Sequence, residues 1–191
     1  MEDRTLEVAT MIAAKLAAHG EHTAVIGAVA AAVWNYPRAT EDFDLATFTN
    51  PFGALAAIER ELKAEGYDAE LITPDADDPL GGVLRVEGSD FRTIEVVNFF
   101  NPLGKIAEIG RLAVDQAVPN GIGTLSVVQL PHLIALKLYS SPGAGGKGYA
   151  DALELLHRNP DIDIDALRDL CEHVGLGAEL DALLERKPSA T

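Results

Sequence analysis

Thr23-Ala-Val-Ile26 is a short apolar run, Gly27 follows it directly, and the alanine-rich segment Ala28 to Trp34 comes next. That order reads as strand, tight glycine turn and helix. Tyr36-Pro37 closes the helix, because the residue before a proline is pushed out of the α region. Asp42 and Asp44 then open a second apolar segment that runs to Phe48. Residues two apart on a strand share a face, so these two carboxylates repel each other unless a cation sits between them. A pair of hard oxygen donors suits Mg²⁺ or Mn²⁺. Such an ion matters most where phosphates are held and a leaving pyrophosphate is neutralised. The first amides of the helix lack partners, which suits an anion at Gly27 and Ala28. The bland alternatives stand beside this reading: Gly27 as a plain turn, and the Asp pair as an ordinary strand end.

The remaining pattern is mixed α and β. Arg4 to Ala18 is an amphipathic helix with Leu6, Ala9, Ile12, Ala13 and Leu16 on one stripe. A helix is expected from Asn50-Pro51 to Glu65, ended by Gly66. Tyr67 to Ile72 and Val83 to Glu87 read as strands, separated by a polar loop, Pro74 to Gly82, that carries Asp75, Asp77 and Asp78. Phe91 to Phe99 is a strand by its β-branched and aromatic content. It holds Glu95 between Ile94 and Val96, where a lone acid is costly without a partner, unless the residue lies on a solvated face. Beyond residue 129 the pattern is helical: Leu130 to Tyr139, Tyr149 to His157, Ile164 to His173 and Ala178 to Glu185. Ser140 to Gly148 reads as a flexible loop and Pro188 to Thr191 as a frayed end.

The segment Arg38-Ala-Thr-Glu-Asp-Phe-Asp44 gives these elements a name. Strand, glycine, helix, then Arg-x-Thr-x-Asp-x-Asp resembles the nucleotidyltransferase superfamily with the DNA polymerase β-like fold. The nearest branches are the minimal and AbiEii-like members of toxin–antitoxin systems. The resemblance implies an α/β (α+β) fold with a mixed sheet flanked by helices over residues 1–128, and a helical part over 129–191. It implies Asp42, Asp44 and Glu95 as catalytic and metal-holding carboxylates, with Asp90 a weaker candidate for the third. It implies Gly27, Ala28, Arg38, Thr40, Lys137 and Lys147 around the nucleotide, Arg38 and Thr40 chiefly as braces of the loop before the Asp pair. Leu133-Ile-Ala-Leu-Lys137 matches a family helix whose lysine faces the triphosphate. Lys147 and Asp151 match a second segment near the cleft. Lys137 also reads as a snorkelling lysine on an apolar helix, and Lys147 as a plain loop lysine. Three positions depart from the family pattern: Ala28 replaces glycine or serine, Glu95 replaces aspartate, and Gly148 replaces an acid.

The implied activity is transfer of a nucleoside monophosphate from an NTP to a hydroxyl, with Mg²⁺ or Mn²⁺ as cofactor. The acceptor is a tRNA 3′ end in toxin members of the family and a partner-protein side chain in antitoxin members. A degenerate, non-catalytic nucleotide- or partner-binding module is the competing class, suggested by the three departures. Aminoglycoside modification is a third, because such transferases share the fold.

Composition bounds these options. With 30 acidic against 15 basic residues, the net charge of −15 counts against a broad nonspecific nucleic-acid groove. No apolar run is long enough to span a bilayer and no leader pattern opens the chain, so a cytoplasmic protein is expected. The single cysteine, Cys171, excludes an internal disulfide framework and reads as a buried small residue. The five histidines show no zinc spacing. Gly146-Lys147-Gly148 lacks the serine or threonine of a phosphate-binding loop, and the Gly27 turn lacks the further glycines of a dinucleotide fingerprint.

Overall fold

A computed structural model of the chain describes residues 2–104, 106–141 and 146–186. The expected frayed end and the centre of the expected Ser140–Gly148 loop lie outside these residues. Among them are α1 (Glu2–Ala18), β1 (Thr23–Val25), α2 (Gly27–Val33), β2 (Asp42–Thr47), α3 (Ala56–Ala64), β3 (Asp68–Ile72), β4 (Val83–Glu87) and β5 (Thr93–Asn98). The chain continues with α4 (Glu108–Asp115), β6 (Val118–Ile122), β7 (Leu125–Val127), α5 (Leu130–Tyr139), α6 (Lys147–Arg158), α7 (Ile164–His173) and α8 (Gly177–Glu185). The helix expected from residue 50 begins as a wide π-type turn, Pro51–Leu55, and α3 proper starts after it. Asn50 caps that turn by accepting from the Phe52 amide at 3.0 Å.

The seven strands form one mixed sheet in the order β3-β4-β5-β2-β1-β7-β6. β2 lies between two differently oriented neighbours, antiparallel to β1 and parallel to β5. The register across β4, β5 and β2 sets Arg85 opposite Glu95 and Glu95 opposite Asp44. Phe43, Leu45, Ile94 and Val96 are buried on one face of these strands, while Asp42, Asp44, Thr93 and Glu95 alternate onto the other and keep partial exposure. This alternation is what a strand of period two demands when one face meets the core.

α4, β6 and β7 occupy the stretch from residue 100 to 129, which the sequence pattern leaves unassigned. β6 is an edge strand, and Pro119 and Gly121 within it are tolerated because an edge strand pairs on one side only. α5 is apolar nearly all round, with Leu130, His132, Leu133, Ile134, Ala135, Leu136 and Leu138 buried. A helix of that composition must be enclosed, and α2, α4, α6 and α7 surround it. One hydrophobic cluster runs from Val8 in α1 to Leu183 in α8. No helix among the described residues is long and apolar enough to cross a membrane. Cys171 is buried, and that burial pushes its thiol up to about 11, as expected of a packing residue rather than a reactive one.

Candidate active site at the head of β2

Gly27 is where the site begins. Its φ is +65°, in the left-handed region that favours glycine. A Cβ at this position would stand 1.8 Å from Asp44 Oδ2, so the Asp44 carboxylate packs directly onto the Gly27 backbone. The Ile26 amide donates to the Asp44 carbonyl at 3.0 Å and pins the turn against β2. Glycine is therefore required twice over, by conformation and by space. Ala28 is buried in the first turn of α2.

On β2, Asp42 and Asp44 point to one face, as their spacing predicts. Burial, and then the charges of Glu95 and Asp42, push the Asp44 carboxyl up to about 6, against the pull of Lys137 and Arg38. Four other expected groups, Glu95, Asp42, Lys137 and Arg38, therefore act on Asp44. Thr40 stands just before the strand. Its Oγ1 accepts from the Asp42 amide at 3.3 Å and donates to the Asp42 carbonyl at 3.2 Å, a local turn that sets the angle at which β2 begins.

Two of the three expected cations, Lys137 and Arg38, gather around a buried acid. Asp151 on α6 is only 3% exposed. Its Oδ2 accepts from Lys137 Nζ at 2.9 Å and from Arg38 Nη2 at 3.2 Å, and its Oδ1 accepts from the Tyr36 hydroxyl at 3.4 Å. A buried carboxylate needs such partners. The triad joins α5, α6 and the loop before β2, so Lys137 is no free snorkelling lysine. Arg38 Nε is buried without a hydrogen-bond partner among the described residues. α6 starts two residues earlier than its pattern suggests, which puts Lys147 in its first turn. There it lines a cavity of about 320 Å³ together with Arg38, Thr40, Glu41 and Asp42.

A larger cavity of about 490 Å³ opens on the Asp44 side. Gly27, Asp44 and Lys137 mark its polar end, and Leu80, Phe99, Leu133 and Leu136 are among its apolar walls. A mostly apolar cavity of several hundred Å³ with a few convergent polar groups has the form of a small-molecule site. Pro79 and Leu80 belong to the stretch that reads in the sequence as a polar loop, Pro74 to Gly82. Two buried asparagines hold that loop in place. Asn98 Nδ2 donates to the Gly81 carbonyl at 2.9 Å, and Asn101 Nδ2 donates to the carbonyls of Asp75 and Asp78 at 2.7 and 2.9 Å. The Tyr139 hydroxyl donates to the Pro79 carbonyl at 3.0 Å. The Asp75 and Asp78 carboxylates accept from amides within the loop. An asparagine inside a β-branched strand, as at Asn98, is the sequence signal for such a clamp.

Glu95 lies in register beside Asp44, but its Oε1 accepts twice from Arg85, from Nη2 at 2.7 Å and from Nε at 3.0 Å. Asp90 lies apart from this group, 3.5 Å from Arg4 Nε. No group of three or more His, Cys, Asp or Glu side chains poised around one ion occurs among the described residues. The donor set nevertheless fits Mg²⁺ or Mn²⁺. Mg²⁺ is commonly held by one or two carboxylates, with waters and substrate phosphates completing its shell. Asp42 and Asp44 would supply those carboxylates, and burial, then the charges of Glu95 and Asp42, already raise the proton affinity of Asp44.

Gly148, an acid in the family pattern, has a structural cause. A Cβ there would stand 2.4 Å from the Lys137 carbonyl, 2.7 Å from Ser141 Oγ and 2.9 Å from Ser140 Oγ. The start of α6 packs against the end of α5 too closely for any side chain.

No protein-family model and no curated protein matches this sequence. Solved structures do match. The solution structure of the antibiotic-resistance factor ANT(2'')-Ia is similar at a TM-score of 0.58, with 14% identity over 95% of this chain and 94% of that one. The crystal structure of ANT(2'')-Ia in complex with adenylyl-2''-tobramycin is similar at 0.56, with 14% identity over 88% and 95%. An antigenic nucleotidyltransferase-like protein from Paracoccidioides brasiliensis reaches 0.49, with 16% identity over 97% and 94%. At these identities the likeness to ANT(2'')-Ia is one of fold. The chain has the nucleotidyltransferase fold, a mixed sheet with flanking helices, as its motif order leads one to expect.

Proposed function

We propose that this chain transfers a nucleoside monophosphate from a nucleoside triphosphate to an acceptor hydroxyl. The observation that carries the reading is the row of acids on one face of β2 and β5. Asp42, Asp44 and Glu95 share a sheet face with Lys137 close by, and Asp44 is pushed up to about 6 by burial and by its acidic neighbours. In this reading the α/β part over residues 1–128 carries the three carboxylates and Arg38, and the helical part from 129 onward carries Lys137 and Lys147.

Asp42 and Asp44 would hold Mg²⁺ or Mn²⁺. When bound, the ion supplies charge neutralisation at the phosphates and at the leaving pyrophosphate. The protein's own groups do the rest. Lys137 and the Gly27 backbone receive phosphate oxygens, with Ala28 behind them in the first turn of α2. Arg38, Thr40 and Lys147 fix the approach to Asp42. The apolar walls of the larger cavity exclude water from the reacting end. Glu95 stands beside the acceptor hydroxyl and takes its proton as the oxygen attacks the α-phosphorus. Positioning and preorganised charge supply most of the rate in such a transfer.

For the acceptor we favour a tRNA 3′ end or a partner-protein side chain, as in toxin–antitoxin systems, in the cytoplasm. The adenylyl-tobramycin complex of the ANT(2'')-Ia neighbour brings an aminoglycoside into the comparison. The net charge of −15 favours compact or cationic acceptors over a long polynucleotide. One observation favours a second reading, a nucleotide-binding module without catalysis: Oε1 of Glu95 is occupied by Arg85.

The test is incubation with Mg²⁺ and each α-labelled NTP, with total tRNA, a cell lysate or an aminoglycoside as acceptor. The control is the Asp42→Ala, Asp44→Ala double variant. Transfer by the parent alone supports the reading and names the acceptor class. Mg²⁺-dependent NTP binding without transfer favours the binding module. Neither binding nor transfer refutes both.

A further inference from the structure

Three residues line up across three neighbouring strands. Arg85 on β4 faces Glu95 on β5, and Glu95 faces Asp44 on β2. The charges along this row are positive, negative, negative. Both hydrogen bonds from Arg85 end on Oε1 of Glu95, at 2.7 and 3.0 Å. The Arg85 side chain is 43% exposed and that of Glu95 is 23% exposed, and ion pairs that reach solvent are weakly held. Among the charges acting on Asp44, that of Glu95 is the largest. Asp42 in turn acts on Arg85. Glu95 thus stands between two claimants, a cation on one side and a carboxylate pair on the other. The extra methylene of glutamate over aspartate gives it reach toward either.

We propose that Arg85 is a latch on Glu95. While Arg85 holds Oε1, that oxygen is withheld from the Asp42–Asp44 pair, and release adds it as the third oxygen donor beside a divalent cation. Arg85 is on this view a positioning residue that sets the cation affinity of the site through Glu95. The inference rests on the proposed reading of Asp42 and Asp44 as cation-holding groups. It accounts for a glutamate at this position, because an aspartate in the same register is too short to be parked on the neighbouring strand and still return.

The test is Mn²⁺ affinity, measured by electron paramagnetic resonance on the full chain with no nucleotide added. The variants are Arg85→Met, Arg85→Lys, Glu95→Gln and the combination of Arg85→Met with Glu95→Gln. Arg85→Met is expected to tighten Mn²⁺ binding about tenfold, the scale on which one close charge partner biases a carboxylate. Arg85→Lys keeps the charge but loses the planar fork, and is expected to give part of that gain. In the Glu95→Gln background the Arg85→Met gain is expected to vanish, since a mutant cycle isolates the coupling of the two. An equal gain in both backgrounds would overturn the latch, because a general charge effect needs no Glu95. No gain from Arg85→Met would overturn it too. The Asp42→Ala, Asp44→Ala variant separates the two levels of the argument. If it binds Mn²⁺ as tightly as the parent, the cation site itself is refuted and the latch falls with it. If its binding is lost while Arg85→Met has no effect, the site stands and only the latch fails.

Discussion

Replacing Gly27 with alanine tests the centre of the site. Two costs arise at once. An L residue at a φ of +65° pays for the left-handed region, roughly 1–2 kcal/mol. The new Cβ also falls 1.8 Å from Asp44 Oδ2, so the carboxylate must swing off its rotamer, a further cost of about 0.5–1.5 kcal/mol. Against these, alanine restricts the unfolded chain more than glycine does, which returns roughly 0.4–1 kcal/mol. The net loss is about 0.5–3 kcal/mol, or roughly 1–12 °C in Tm for a chain of this size. The carboxylate that moves is the one proposed to hold the cation, so Mg²⁺-dependent NTP binding should fall far more than stability does. Thermal unfolding by circular dichroism and calorimetric NTP titration read the two effects separately. Repeating the substitution in an Asp44→Ala background removes the carboxylate clash, keeps only the tight 3.0 Å approach of the residue-44 Cβ, and leaves mainly the backbone cost. The reasoning is refuted if Gly27→Ala costs the same in both backgrounds, or if NTP binding by the single variant is unchanged.

Two further outcomes follow from the same geometry. Asp44 holds its proton more tightly in the folded chain, at about 6, than its ordinary value of 3.8. The folded state therefore binds more protons through that window, so stability should fall as pH rises from about 4 to about 6 and then level off. Without divalent ions, Asp44→Asn should be the more stable protein at pH 7.5 by up to roughly 3 kcal/mol, with the gap closing near pH 4; equal Tm values at pH 7.5 would count against the assignment. Gly148→Ala drives a Cβ to 2.4 Å from the Lys137 carbonyl, and should cost about 1–3 kcal/mol as overpacking. An unchanged Tm would mean that α5 and α6 are not in that close contact.

Much of the architecture can be read from local pattern. The β1–Gly27–α2 unit, the Asp42–Asp44 strand, β4, α5 and α7 follow from apolar period and from glycine and proline punctuation, because these signals are complete within a few residues. The Arg-x-Thr-x-Asp-x-Asp order likewise carries the nucleotidyltransferase fold, since the turn and the strand that present the acids are contiguous in the chain. The stretch from 100 to 129 yields no such signal. β7 is three residues long, and β6 contains Pro119 and Gly121, so neither alternation nor composition marks them. They exist because β1 leaves an edge to be paired. Three features of the site are also invisible along the chain. Glu95 meets Asp44 and Arg85 only through the register of three strands. Asp151 becomes the shared partner of Arg38 and Lys137 only when α6 packs beside α5. The loop around Pro79 becomes a cavity wall only because Asn98 and Asn101 clamp its backbone. Local pattern chooses elements, because helix and strand periods are properties of a segment. Register, helix contacts and buried polar pairing are sums over distant residues, and the folded packing is what settles them.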